Sequence, residues 1–475
     1  MVQPAPTSRP GLILGVLALG GAAYALLQSL VIPALPVLEH DLHTTTSGVA
    51  WVFTSYLIAA SIVTPIAGRL GDMFGKKRVL VITLAGLAVG SLLAALVHTL
   101  PLMILARTIQ GLGGAIFPLA FGIVRDEFPR ERVAGAIALI SGILGIGGGL
   151  GIVLAGPILD NLSYHWLFWI PLVATIVAMA AAIVFIPEST IRAAGNVHWL
   201  GAALLSGWLV ALLLAVSEAA TWGWSSVKTV GLISLAAVVA AVWVWAENRS
   251  RHPLVDMKMM RLPGVWTTNL AALLVGFGMY SAFVLIPQFV QTPTSTGYGF
   301  GASVSQAGIF LVPSTIAMMI FSPVGGRLSG VVGSKVPLVI GSLVTSLSLV
   351  VLAVASSRWE IYVASALLGM GVGFAFASLA NLIVEAVRPD QTGIASGMNT
   401  IVRTIGGAVG AEVATSILAA NVLAGGSPSK HGYTLTFALC AAVVGVGVLA
   451  SLAVPGRVRH PAHLTTIADP APAVE

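Results

Sequence analysis

The chain has 475 residues, of which 57% are hydrophobic and only 8% are charged. A soluble domain carries roughly 25% charged residues, so this composition excludes a protein with a water-exposed surface throughout. The formal net charge is +6, but the basic residues are dispersed among short loops, which favours membrane topology over a nucleic-acid partner as their explanation. The sequence therefore predicts an integral membrane protein.

Residues that could form a disulfide, a metal site or a catalytic centre are few and scattered. The single cysteine, Cys440, lies in an apolar run, and the nine histidines fall mainly in loops and tails. A membrane-embedded enzyme would need His, Cys, Asp or Glu clustered at one depth, with catalytic or metal-ligand spacing. We therefore expect no enzyme activity, no cofactor and no metal.

Apolar runs of about 20 residues, the length that crosses a bilayer, follow one another along the chain. The first run exceeds the apolar core of a cleavable signal, so we interpret it as a retained helix. The sequence predicts an all-α fold of fourteen transmembrane helices at 11–32, 49–69, 79–98, 101–124, 133–156, 165–186, 198–219, 229–247, 265–289, 305–326, 336–356, 360–384, 393–420 and 433–454.

The basic residues also predict the orientation of the chain. If the N-terminus is cytoplasmic, 18 of the 23 Lys and Arg residues lie on the cytoplasmic side, 2 within spans, and only Lys228, Arg358 and Lys430 in outer loops. Cytoplasmic loops are enriched in Lys and Arg. We therefore expect both termini in the cytoplasm and the chain in a cell membrane, the inner membrane in a bacterium.

A polar stretch at 68–78, GRLGDMFGKKR, separates the second and third predicted helices. Its glycines allow a tight turn, and Asp72 could accept hydrogen bonds from a neighbouring helix N-terminus. Five of its residues recur in register 258 positions later, namely Gly68, Arg69, Leu70, Gly75 and Lys77. The stretch resembles the signature loop between helices 2 and 3 of the major facilitator superfamily, which has a weaker copy in its second half.

This resemblance implies a gate on the cytoplasmic side. The loop after the fourth helix, 125–132, alternates in charge, and the family pairs two such loops. A solvated turn is the alternative. The predicted gating residues are Gly68, Asp72, Gly75, Lys76, Lys77, Arg78, Asp126 and Arg130.

A second repeat, at an offset of 260, extends the resemblance over most of the chain. The residues that recur are Gly111, Gly113, Ala115, Ala120, Pro129 and Gly147. Helices 1–6 therefore resemble helices 9–14, the parallel pair of halves expected of this superfamily. We predict a cytoplasmic N-terminus at 1–10, six-helix halves at 11–190 and 264–454, a two-helix insert with linker at 191–263, and a disordered tail at 455–475.

Residues 105–113, LARTIQGLG, resemble the family's fourth-helix motif, in which an arginine is linked to proton coupling. A charge at membrane depth costs at least ~2.5 kcal/mol, so Arg107 needs a partner or a water-filled cavity. Gln110 lies on the same helical face, three residues on. The alternative is a structural arginine that ties the helix to a carbonyl or a polar neighbour.

The fifth helix resembles the antiporter motif of drug exporters, with Gly147, Gly151 and Gly156 in place but Ile152 where the motif has proline. Small residues at this spacing predict close helix packing. Fourteen-helix drug–proton antiporters also carry an acidic residue in helix 1. Leu27 stands there in this chain, followed by Gln28, which cannot titrate.

The thirteenth helix carries the remaining candidates for proton coupling. Its polar and small residues fall on one face: Asn399, Arg403, Gly406, Gly407 and Gly410. Glu412 follows Arg403 by nine residues, so it points in the opposite direction at ~100° per residue. It is the only acidic residue placed clearly inside a span. We predict that Arg107, Arg403 and Glu412 couple protons, with a structural carboxylate as the alternative for Glu412.

Polar side chains are few in the helices that face the cavity in this family, and Phe and Met residues accompany them. The predicted cavity residues are Tyr24, Gln28, Gln110, Asn269, Tyr280, Phe283, Phe374 and Asn381. Such a cavity favours a bulky hydrophobic substrate.

Trp222-Gly223-Trp224 and residues 253–256 resemble the fourteen-helix drug–proton antiporter branch. This implies a monomer in the lipid bilayer that exports drugs or antibiotics in exchange for protons, by alternating access. Alternatives are a symporter, a specific metabolite exporter or a lipid transporter, since two antiport features are incomplete.

Overall fold

The architecture is a bundle of membrane-length helices joined by short connections. A computed structural model describes residues 10–189, 193, 198–423 and 426–455. Within them the chain forms fourteen helices that are long and apolar enough to cross a membrane, as predicted, and no β-strand is described. The predicted disordered tail falls outside the described residues, apart from Pro455.

The fourteen helices are numbered in chain order: α1 Pro10–Leu30, α2 Thr46–Phe74, α3 Lys76–Leu96, α4 Leu100–Glu127, α5 Arg130–Asn161, α6 Trp166–Phe185, α7 Trp199–Ser217, α8 Val227–Arg249, α9 Pro263–Gln291, α10 Val304–Val332, α11 Lys335–Val354, α12 Arg358–Ala386, α13 Thr392–Ala420 and α14 Lys430–Ala453. Within α4, Gly111–Ala115 is a 3-10 turn. Three shorter helices connect the membrane-length ones, at Leu35–Asp41, Ala219–Trp222 and Met257–Met260.

The connection between α2 and α3 is shorter than the sequence suggests. Most of the predicted polar loop is helical, because α2 continues to Phe74 and α3 begins at Lys76. Gly75 alone makes the turn, with φ +113°, a conformation that favours glycine. Its backbone N–H still bonds to the carbonyl of Gly71. The charged side chains of this stretch are therefore held on two rigid helices.

Four buried cores organise the bundle, a small one among α9, α11 and α12 and three larger ones. One lies mainly among α1–α6, here called the N-terminal half, and a second among α9–α14, the C-terminal half. A third joins α7 and α8, the insert, to α13 and the linker before α9, through residues such as Leu205, Trp243, Val255 and Met398. The insert therefore packs beside α13. We call the end of the bundle that holds Gly75 the motif end, and the other the opposite end.

Candidate functional site

The two halves meet at the motif end through the carboxylate of Asp72. Its two oxygens accept hydrogen bonds from the backbone N–H groups of Gly393 and Ile394, each at 3.1 Å. These groups belong to the first turn of α13, where the helix dipole favours a negative charge. The predicted bond between Asp72 and a helix N-terminus is confirmed. It joins α2 of one half to α13 of the other.

Asp72 belongs to a buried ion-pair network. Lys76 Nζ lies 2.6 Å from Asp126 Oδ2 and 3.9 Å from Asp72 Oδ1. Ser189 donates a hydrogen bond of 2.5 Å to the same Asp126 oxygen. The segments around Asp72 and Asp126, which the sequence predicts as paired loops, are helix ends in direct contact.

The other basic side chains of the motif end differ in their contacts. Arg125 crosses between the halves, donating to Thr392 Oγ1 at 2.7 Å and to the Val387 carbonyl at 2.9 Å. Arg78 Nε lies 3.4 Å from Glu188 Oε2 on the surface. Lys77 is half-buried and Arg130 is exposed, so they lie at the margin of this network.

At the motif end, close contact between the backbones of α2 and α13 requires glycine at two positions. A Cβ added at Gly68 would lie 2.5 Å from the Gly393 carbonyl oxygen, and one at Gly397 would lie 2.9 Å from Pro65 Cα. Real Cβ atoms essentially never come as close as these distances, so α2 and α13 touch only because glycine stands at both positions. The motif end is closed in this conformation.

The glycines of α5 pack against two helices. Added Cβ atoms at Gly147 and Gly151 would clash with Ala25 and Ser29 of α1, and one at Gly156 with Ser305 of α10. The Ser29 hydroxyl also donates to the Gly147 carbonyl at 2.8 Å. These three glycines bring α5 against α1 and α10, so α5 contacts both halves.

Behind the closed motif end, two adjoining cavities lie between the halves. One is lined by Phe117, Phe121, Ser141, Leu144, Phe376, Ala380, Ile383, Ser396, Asn399, Thr400 and Arg403. The other is lined by Tyr24, Gln28, Leu57, Ala60, Ser61, Thr64, Gly114, Phe117, Leu144, Tyr280, Thr400, Ile401, Arg403 and Thr404. The two linings share Phe117, Leu144, Thr400 and Arg403, so they form one site. Its walls combine aromatic and aliphatic side chains with hydroxyl groups, two amides and the Arg403 guanidinium.

The predicted cavity residues divide into two groups. Tyr24, Gln28 and Tyr280 line the site. The amides lie between helices: Asn269 accepts a bond of 2.9 Å from Asn399, and Asn381 donates to the Ala134 carbonyl at 3.3 Å. Gln110 is fully buried beside Ser91. These three amides thus hold helices together.

The remaining predicted aromatics also pack outside the two linings. Phe374 packs against Phe321, with ring centroids 5.5 Å apart, and Phe283 against the core of the C-terminal half. Ser141 and Ser396, which the sequence analysis did not single out, stand in the lining instead. No periodicity in a single helix indicated them, because they lie on two different helices, α5 and α13, that line the same cavity.

Arg107 is fully buried within the N-terminal half. Its Nε donates to the Val52 carbonyl at 3.0 Å and its Nη1 to Gln110 Oε1 at 2.6 Å. The guanidinium lies 4.2 Å from the ring centroid of Tyr56. These partners are a carbonyl and a polar neighbour, the arrangement described above for a structural arginine.

Arg403 is held differently. Its backbone packs on Gly276 of α9, and its guanidinium lies 4.4 Å from the ring centroid of Phe376. The residue is 8% exposed, yet its Nε–H has no hydrogen-bond partner. The predicted glycine face of α13 packs on α9 at Gly406, Gly407 and Gly410, which fixes the direction in which Arg403 points.

Glu412 lies inside α13, half-buried, and is absent from both cavity linings. Among the described residues, no group of three or more His, Cys, Asp or Glu side chains is placed to hold a metal ion. The arrangement leaves two small cavities between the halves and closes the motif end.

Comparison with known proteins gives a consistent result. A family model described as Major Facilitator Superfamily matches residues 17–411. The tetracenomycin C resistance and export protein of Streptomyces glaucescens is 27% identical over 419 residues, which cover 87% of this chain and 77% of that protein. Multidrug resistance protein 3 of Bacillus subtilis is 29% identical over 412 residues, which cover 85% and 77%.

A solved structure shares the fold. The crystal structure of the human organic anion transporter MFSD10 (TETRAN) superposes with a TM-score of 0.69 at 16% identity, covering 94% of this chain and 100% of that one. At this identity the likeness concerns the arrangement of helices alone.

Proposed function

The chain belongs to the Major Facilitator Superfamily, and on that premise we propose that it is a secondary active transporter that exports hydrophobic drugs or antibiotics from the cell. The observation that carries the proposal is the site between the halves, lined by aromatic, aliphatic and hydroxyl-bearing side chains, behind a closed motif end. Similar proteins named for antibiotic resistance and export support the direction and the class of substrate.

Transport proceeds by alternating access in this proposal. The Lys and Arg distribution favours a cytoplasmic motif end, so the described conformation is closed to the cytoplasm. Opening requires Asp72 to release the first turn of α13 and Arg125 to release Thr392. Because these groups lie on rigid helices, their hydrogen bonds break together when the two halves rotate away from each other. Gly68, Gly75, Lys76 and Asp126 shape this gate.

Proton entry supplies the driving force in this proposal. Glu412 lies inside a membrane-length helix, where a carboxylate is costly and marks a functional site by default. Arg107 communicates with the cavity through aromatic contacts, since the ring of Tyr56 lies 6.0 Å from that of Tyr24. One chain supplies the complete site, which supports a monomer in the lipid bilayer.

The test is accumulation of fluorescent lipophilic dyes and antibiotics in an efflux-deficient bacterium that expresses the protein, with and without an uncoupler. We expect lower accumulation than in cells expressing Gly68→Val, whose side chain cannot fit against Gly393. The uncoupler should abolish the difference. Equal accumulation across the panel would refute export of such compounds.

Proton coupling is tested separately with Glu412→Gln. We expect this variant to reach the membrane and to lose export driven by the proton gradient. Export that persists unchanged in Glu412→Gln would remove Glu412 from the mechanism. Export by the unaltered protein that ignores the uncoupler would refute proton antiport itself.

A further inference from the structure

Arg403 stands at the junction of the two cavities and belongs to the lining of both. Only 8% of the surface of this residue is exposed to solvent. Its guanidinium stacks on Phe376, and its Nε–H has no acceptor. A buried cation with no carboxylate beside it is expensive, because no counter-charge offsets its lost hydration.

Two hydroxyls with the same deficiency share the cavity with Arg403. Ser141 Oγ on α5 and Ser396 Oγ on α13 are both buried and have no hydrogen-bond partner. Most buried polar groups in proteins are paired, so three unpaired donors around one cavity are informative. Because Ser141 comes from the N-terminal half and the other two residues from the C-terminal half, a bound acceptor would join the halves.

No Asp or Glu side chain lines either cavity in the described part of the chain. The site therefore has one positive charge, several hydroxyl groups and no carboxylate to compensate. Around it stand Phe117, Phe121 and Phe376, which suit an apolar or aromatic body. This combination repels a cationic drug and attracts an anionic one.

We propose that the substrates are amphiphilic organic anions, in which a carboxylate, sulfonate or phosphate on an apolar body binds Arg403. The hydroxyls of Ser141 and Ser396 donate to the same anionic group, and Phe376 holds the guanidinium in place. The proposal rests on the export function proposed above and narrows its substrate class. It also makes Arg403 a substrate-binding residue rather than a proton-coupling one.

The test uses the purified full-length protein and three dansyl probes that share one short alkyl chain. The chain ends in a carboxylate, its methyl ester or a primary ammonium. We expect the carboxylate to bind at least about 10-fold more tightly than the ester, a free-energy difference of about 1.4 kcal/mol, and the ammonium to bind most weakly. Arg403→Gln should remove the preference for the carboxylate and leave ester binding within about 2-fold, while Arg403→Lys should retain part of it.

Two further variants keep this test specific. Arg251→Gln removes one positive charge at an exposed linker position and should leave all three affinities unchanged. Ser396→Ala should weaken carboxylate binding by at least about 10-fold, the effect of one hydrogen bond to a charged group. Equal binding of the three probes to the unaltered protein, or an equal loss of all three in Arg403→Gln, would overturn the proposal.

Transport measurements distinguish a failure of the proposed anion site from a failure of the proposed export function. In energised inside-out vesicles, uptake of the ammonium probe but not of the carboxylate would overturn the anion site and leave the exporter standing. Arg403-dependent binding of the carboxylate without uptake of any probe would support the site and count against the exporter. Uptake of the carboxylate that Arg403→Gln abolishes supports both.

Discussion

Each half of the molecule buries one arginine over an aromatic ring, and the two arginines differ in the number of hydrogen bonds they donate. Arg107 lies 4.2 Å from the centroid of Tyr56 and donates to two acceptors within its own half, with its Nη2 unpaired. Arg403 lies 4.4 Å from the centroid of Phe376, faces a cavity between the halves, and has an unpaired Nε–H.

The difference distinguishes an arginine that stabilises the fold from an arginine that is available to bind a ligand. Hydrogen bonds to charged groups stabilise a fold by about 1.5–3 kcal/mol each, whereas an unsatisfied buried donor costs about 1–3 kcal/mol. Arg107 therefore contributes to the stability of the N-terminal half. Arg403 contributes no such bond in the described conformation, and its charge stays available to a ligand. The predictions below test this contrast.

The largest effect is expected for Arg107→Gln. The substitution removes the donors to the Val52 carbonyl and to Gln110 Oε1, and both acceptors are buried. We expect the free energy of unfolding in detergent to fall by about 3 kcal/mol. Arg251→Gln, an exposed charge loss of the same size, is the control and should unfold like the unaltered protein. Equal stability of all three proteins would refute a structural role.

A smaller loss is expected for Gln110→Leu. This change keeps Arg107 but removes the acceptor of its Nη1 and the donor to Ser91 Oγ. We expect a loss of about 2 kcal/mol, measured by chemical unfolding. The matched control is Gln28→Leu, since Gln28 lines the cavity. If both substitutions lower the free energy of unfolding equally, an amide that joins helices stabilises the fold no more than one that faces the cavity. That result would contradict the role given to Gln110.

The smallest effects are expected for serine. Ser29 donates to the Gly147 carbonyl at 2.8 Å, so Ser29→Ala should destabilise the fold by about 1 kcal/mol. Ser141 and Ser396 have no partner, so Ser141→Ala and Ser396→Ala should stay within about 0.5 kcal/mol of the unaltered protein. Thermal unfolding of the three variants, side by side, measures this ranking. A loss at Ser396 as large as that at Ser29 would indicate a structural bond there.

The sequence predicts the fold closely because membrane helices are specified locally. Apolar runs of the right length mark the fourteen helices, and the small residues of α5 and α13 mark faces that pack. The predicted loop at 68–78 was wrong in form, since helical hydrogen bonds extend to Phe74 and leave Gly75 as the turn. Polar residues ended the hydropathy signal there before the helix ended.

The site could be predicted only in part, because side-chain direction depends on neighbouring helices. Four of the polar residues singled out in the sequence do line the cavity, namely Tyr24, Gln28, Tyr280 and Arg403. Asn269, Asn381 and Gln110 belong to the same class in the sequence, yet each bonds to a neighbouring helix. Likewise, no pattern within one helix distinguishes Arg107 from Arg403. Whether each guanidinium finds a hydrogen-bond acceptor depends on other segments of the chain.

Thermal unfolding of Arg403→Gln, with and without the dansyl carboxylate, tests the contrast most directly. We expect the variant without ligand to melt at or above the temperature of the unaltered protein, because it loses an unpaired buried charge. The carboxylate should raise the melting temperature of the unaltered protein and leave that of the variant unchanged. A variant that melts as far below the unaltered protein as Arg107→Gln does would show that Arg403 is structural and contradict the account.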